Sequence, residues 1–147
     1  MPSGSRVARE LLGGGAGPLR RRGLRAHRLL PEALHLLHVA FEEVFARHVG
    51  SPDAELLEGR NLGCPAVKID REFMRPLRFG EVLRVATEIP RVGRSSAVFH
   101  HVVRVGAEEA PRCEARFTRV AVDMQTLEPV PIPDDIRQRL GELMPTR

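Results

Sequence analysis

The 147-residue sequence predicts an α+β fold in one domain: a long central helix wrapped by a curved antiparallel sheet of about five strands. Three observations carry this. A run from Pro31 to His48 is apolar at helical spacing over most of its circumference, which marks a buried helix. Four later segments alternate apolar and polar residues and are separated by turn residues, the rhythm of an antiparallel sheet. The length suits one core of ordinary size, and 42% hydrophobic and 29% charged residues are near the values of globular chains.

In chain order, residues 1–17 read as a flexible appended tail with a short helical turn around Val7 to Leu12, broken by Gly13-Gly14-Gly15. Residues 18–147 read as the single folded domain. Leu19 to Leu29 is expected to be a first strand, a poor one by pattern because of its arginines. Pro31 is suited to the first turn of a helix, and Gly50-Ser51-Pro52 stops it. Leu34, Leu36, Leu37, Val39, Ala40, Phe41, Val44, Phe45 and Val49 supply its apolar surround. His35, His38 and Glu42 fall within ~60° of one another and form one polar stripe on it. A loop of about a dozen residues follows.

The strands come next. Val67, Ile69 and Phe73 alternate with Lys68, Asp70 and Glu72; Leu83, Val85 and Ile89 alternate with Arg84, Ala86 and Glu88. Ser95 to Val105 places Ala97, Phe99, His101 and Val103 on one face, and Arg112 to Met124 is the last strand. Turns are expected at Phe79-Gly80, Val92-Gly93 and Gly106 to Pro111. Pro129 to Pro133 ends the sheet, and Asp134 is expected to cap a final helix to Leu143. One sheet of this size leaves an edge and a face to be covered, so self-association is expected.

The net charge of +4 does not point to nucleic acid, because it is uneven. Seven arginines stand against Glu10 alone from Met1 to Arg28, a local +6, and the remainder carries −2. With no Trp, no Tyr and six Phe, a base-stacking platform has little to be built from. Cys64 and Cys113 have no neighbours at metal-ligand spacing. No apolar run reaches the ~18 residues of a membrane span, and no apolar stretch of secretory length stands at the N-terminus, so a cytoplasmic location is expected.

The run Val67-Lys68-Ile69-Asp70-Arg71-Glu72-Phe73-Met74-Arg75-Pro76-Leu77-Arg78-Phe79-Gly80-Glu81 resembles the second and third strands of the hotdog-fold acyl-CoA thioesterases of the 4-hydroxybenzoyl-CoA thioesterase type. There an apolar alternation ending in an aromatic precedes Arg-Pro-Leu-Arg-Phe-Gly-Asp. Arg91-Val92-Gly93-Arg94-Ser95-Ser96 resembles the next turn of that family, and Val122-Asp123 with Pro131-Ile132-Pro133 its closing strand and tail. The resemblance spans roughly Arg20 to Leu140. It implies hydrolysis of an acyl-CoA or acyl-carrier-protein thioester, with coenzyme A entering as part of the substrate and no metal or organic cofactor. It further implies homodimers, also paired as homotetramers, whose site lies at the dimer interface beside the central helix.

When the family's Phe-Glu-Glu context is aligned on Phe41-Glu42-Glu43, the aspartate that stands ahead of its helix falls on His27, and the following glycine on Leu30. The base is therefore expected to be non-standard. Glu42 is the first candidate, since a carboxylate carried on an apolar helix is poorly solvated and suited to general-base work. His27 is the second, an imidazole able to act as base but not to form a mixed anhydride. His35 is the third, with His38 beside it as a substrate contact. A two-histidine metal site using His100 and His101 lacks a visible third ligand. Free N–H groups at the helix start would serve the oxyanion.

Leu34, Val67 and Phe73 are candidates for lining the acyl group. Arg75, Arg91, Arg94, Ser95 and Ser96 lie in segments that the resemblance associates with the phosphate-bearing tail of coenzyme A. The absent aspartate leaves one alternative of a different class, a non-catalytic dimer that binds acyl-CoA or a related ligand.

Overall fold

The computed structural model describes residues 7–11, 29–50, 53–77 and 81–145. Its elements are β1 (Val7–Leu11), α1 (Leu29–Glu43), α2 (Asp53–Arg60), β2 (Leu62–Gly63), β3 (Ala66–Phe73), β4 (Leu83–Val92), β5 (Ser96–Val105), β6 (Cys113–Val120), β7 (Val122–Asp123) and α3 (Asp134–Gly141). Helix α1 runs on through a wider π-helical stretch, Val44–Val49, until Gly50 at φ +83° turns the chain. A left-handed conformation is cheap only for glycine, which is why the helix ends there.

Five antiparallel strands form the main sheet in the order β1-β4-β5-β6-β3, and β2 pairs with β7 in a small second sheet. The sheet wraps the helix as an α+β architecture, in agreement with the expectation. The alternation expected for β5 holds: Ala97, Phe99, His101 and Val103 are all buried, and they meet Phe41, Phe45, Val44 and Leu37 of the helix. Phe41 packs on Phe45 and Phe99 with ring centroids 4.9 and 5.3 Å apart, the tilted and edge-on arrangements that aromatic quadrupoles favour. Ile136, Leu140 and Leu143, in and just after α3, close one end of this core. Arg137 ties α3 to the β4–β5 turn by donating to the carbonyls of Gly93 and Arg94 at 2.9 and 2.8 Å.

Several expectations are corrected. Val7–Leu11 is a strand paired with Thr87 to Leu83 of β4, not a helical turn, so these five residues belong to the sheet. The rest of the expected tail, and Leu19 to Arg28 of the expected first strand, lie outside the described residues, and Leu29 opens α1. The expected loop after α1 contains α2, whose Leu56 is buried; Ser-Pro-Asp before it and Arg60 in its last turn are the helix signals in the sequence. Asp134 lies in the first turn of α3 and makes no capping bond, because Pro133 holds the cap position. The turn expected at Phe79-Gly80 lies outside the described residues.

Strand β3 behaves unlike the others. All eight of its residues are exposed, Val67 to 62%, because β6 pairs with one of its edges and nothing among the described residues covers the other. Among the described residues no helix is long and apolar enough to cross a membrane.

Candidate functional site

The polar stripe of α1 faces outward. His38 Nε2 lies 3.0 Å from Glu42 Oε1, a contact that the i,i+4 spacing brings about. Their side chains are 49% and 53% exposed, so the burial expected to desolvate Glu42 is not present within one chain. Among the described residues the helix is buried along Leu37, Ala40, Phe41, Val44 and Phe45, and His35, one turn before His38, is exposed like it. Leu34 is partly covered and packs against the core. His27 lies outside the described residues. Glu43, next to Glu42, points elsewhere and pairs with Arg47 at 2.8 Å.

The start of α1 and Glu42 are thirteen residues apart, about 20 Å along a helix rising ~1.5 Å per residue. N–H donors at the helix start and Glu42 of the same chain cannot act on one carbonyl.

The remaining candidates fall at opposite ends of the sheet. Phe73 and Arg75 stand where β3 leaves the sheet beside Cys113 and Arg112. Val67, with Arg94, Ser95 and Ser96 of the β4–β5 turn, stands at the other end, where Ala66, Arg119 and Ala97 are neighbours across β3, β6 and β5. The two groups are separated by most of a strand of eight residues, about 23 Å at ~3.3 Å per residue. Arg91 and Arg94 are exposed near that turn. Arg75 is half exposed and reaches Glu108 at 3.6 Å. Glu108 also receives two bonds from Arg112, at 2.9 and 3.0 Å, and these hold its carboxyl below the usual range.

Two buried polar residues, Arg119 and Thr87, were not singled out in the sequence, and His100 and His101 take places other than a metal site. Arg119 lies inside, with its guanidinium 3.6 Å from the centre of the Phe41 ring and Nη1 donating to the Cys64 carbonyl at 3.0 Å. Beside it Phe45, Phe99, Cys64, Ile132 and Leu140 line a cavity of about 20 Å³, room for one water and not for an acyl chain. His101 is fully buried, shares a 2.8 Å hydrogen bond with Thr87 Oγ1 through Nδ1, and is pushed down to about 3 by burial and then by the charges of Arg119 and His100. It is therefore a neutral imidazole at ordinary pH.

His100 points to the opposite face of the sheet, so the two adjacent histidines do not converge on one ion. His100 Nδ1 meets Glu88 at 3.1 Å and its Nε2 lies 3.7 Å from Glu114, in a cleft of about 190 Å³ also lined by Asp70, Glu72 and Arg116. No group of three His, Cys, Asp or Glu among the described residues is arranged to hold a metal. Only register could have revealed these neighbours, since the flanking strands β4 and β6, with β3 beyond β6, supply them.

The model of the thioesterase-like superfamily matches residues 31–140, which include α1, the strand segments β2 to β7 and most of α3. No curated protein matches the chain. Among solved structures, a thioesterase-superfamily protein from Jannaschia sp. superposes with a TM-score of 0.75 at 19% identity, covering 97% of this chain and 95% of that one. A 1,4-dihydroxy-2-naphthoyl-CoA thioesterase from Synechocystis gives 0.71 at 14% identity, covering 92% and 94%. The 4-hydroxybenzoyl CoA thioesterase of a Pseudomonas species gives 0.66 at 23% identity, covering 74% and 83%. At these identities the likeness is one of fold.

Proposed function

The chain belongs to the thioesterase-like superfamily, and from that premise we propose that it hydrolyses an acyl-CoA or acyl-carrier-protein thioester, as a homodimer, with Glu42 as general base. The observation that carries the assignment of the base is the His38–Glu42 contact at 3.0 Å on the open stripe of α1. With its proton on Nε2, His38 donates to one carboxylate oxygen and orients the group, leaving the second oxygen free for water. Glu42 takes a proton from that water as its oxygen attacks the thioester carbonyl. Collapse of the tetrahedral intermediate breaks the C–S bond, and Glu42 returns the proton to the leaving thiolate. General-base catalysis of this kind contributes ~10²–10⁴-fold.

Two features favour a dimeric site. The open edge of β3 offers unpaired backbone groups, and a second copy adding its own β3 antiparallel would satisfy them. The two-fold axis of such a pair is perpendicular to the sheet and reverses every direction within it. The Phe73–Arg75 end of one chain then meets the Val67 end of the other, which reunites the two separated groups of candidates. It also sets the α1 helices antiparallel, so that the start of one, with its free N–H groups and His27 just ahead of it, is directed along the later turns of the other. Arg75, Arg91 and Arg94 with Ser95 and Ser96 would then flank the coenzyme A tail from both chains. Such dimers could pair again into tetramers. His27 is the second candidate base, and no metal or organic cofactor is required.

The test is release of free thiol from a panel of acyl-CoAs. Glu42→Gln is expected to lower kcat by ~10²-fold or more, and His38→Gln by less. Thiol release unchanged in Glu42→Gln and abolished in His27→Ala would move the base to His27. Acyl-CoA binding with no thiol released from any substrate would leave the non-catalytic alternative in its place.

A further inference from the structure

On the helix-facing side of β3, Ile69, Arg71 and Phe73 form one row, opposite Phe117, Ala115 and Cys113 of β6, which are all buried. Helix α1 packs over β4 and β5 and leaves this row bare: Ile69 is 45% and Phe73 41% exposed, and Arg71 between them is exposed as well. The acidic neighbours of Arg71 in sequence, Asp70 and Glu72, point to the opposite face because side chains alternate along a strand. Among the described residues no carboxylate pairs with the Arg71 guanidinium, whereas Arg75 just past the end of β3 and Arg112 just before β6 both engage Glu108. A cation with no counter-ion among the described residues, set between two exposed apolar side chains, is an unusual choice for an edge that is to be buried.

We propose that Arg71 selects the acyl group: the row Ile69–Arg71–Phe73 takes an acyl chain with an apolar body and a carboxylate at its far end. This rests on the thioesterase reading above. Phe73 and Arg71 are two residues apart, about 7 Å on an extended strand. A chain lying over the Phe73 ring therefore reaches Arg71 with a carboxylate about five carbon–carbon bonds further on, the length of an adipyl group. The guanidinium fork suits a carboxylate because both of its parallel N–H bonds are charge-assisted.

The experiment compares adipyl-CoA with hexanoyl-CoA, equal in carbon count, by kcat/KM and, independently of turnover, by equilibrium titration of each thioester with the protein. The wild type is expected to favour adipyl-CoA by about 10–100-fold, the range of one charge-assisted bond pair. Arg71→Gln should bring the two within about twofold by removing only the adipyl advantage, and Arg71→Lys should retain part of it. A wild type that prefers hexanoyl-CoA, or a preference that survives in Arg71→Gln, overturns the proposal. So does an equal fall in kcat for both substrates, the result expected if Arg71 instead pairs with Glu42 of a second copy. A titration contrast that persists without hydrolysis upholds the proposal and overturns the catalytic reading alone.

Discussion

His101 makes the fold sensitive to acid over a definite window. Its imidazole is fully buried between Phe99 and Phe117, bonded to Thr87 through Nδ1 and left without a hydrogen-bond partner at Nε2. Burial and the neighbouring charge of Arg119 push its pKa down to about 3, from 6.5 for an unhindered histidine. Between these two values the unfolded chain binds a proton that the folded chain does not, so stability falls as pH drops from 6.5 toward 3. At pH 5 the loss from this one residue is about 2 kcal/mol, and at pH 4 about 3 kcal/mol.

The perturbation is His101→Gln, which keeps a polar group for Thr87 but does not titrate. The assay is urea unfolding of both proteins at pH 7.5 and pH 5, at one protein concentration so that self-association contributes equally. With a slope of about 2 kcal/mol/M, the wild-type midpoint should fall by about 1 M more than that of the variant between the two pH values. Other pH-dependent contributions are common to both proteins and cancel. Equal falls would show that the folded protein accommodates a charged His101, and the reasoning from burial would be refuted.

Three further outcomes are expected. Ile69→Lys on the open edge of β3 should reduce the particle mass seen by light scattering from dimer to monomer, and an unchanged mass would place the interface elsewhere. Phe41→Ala removes a ring that contacts Phe45, Phe99 and Arg119 and should lower stability by about 3–5 kcal/mol in thermal or urea unfolding. A disulfide-exchange reagent should label the partly exposed Cys64 first, while Cys113, buried and with its thiol pushed up by burial, reacts only on unfolding.

What the sequence disclosed follows from the range of its signals. Helical and strand periods are local, so α1 and the inward face of β5 could be read directly from Leu37, Phe41 and Phe45 and from Ala97, Phe99 and Val103. Helix α2 is short and carries little apolar period, and β1 draws its place from pairing with β4, so neither announced itself. The site was legible as a set of residues but not as a place. The stripe of His35, His38 and Glu42 was visible in the spacing; that it lies half open was not, because exposure depends on which helix face meets the sheet.

The same limit explains why the candidates look scattered in one chain. Glu42 lies about 20 Å along the helix from its own helix start, and Arg75 and Arg94 lie at opposite ends of the sheet. The cavity beside Arg119 holds about one water, too little for an acyl group. Among the described residues the edge of β3 and the outer stripe of α1 are both uncovered, and both are surfaces that a second copy would meet under the proposed pairing. A protomer that keeps its polar stripe and an apolar strand row exposed fits the half-site of the proposed dimer. One antiparallel pairing of β3 would account for the bare row, the half-open Glu42 and the divided arginines together, whereas a site within the monomer would account for none of them.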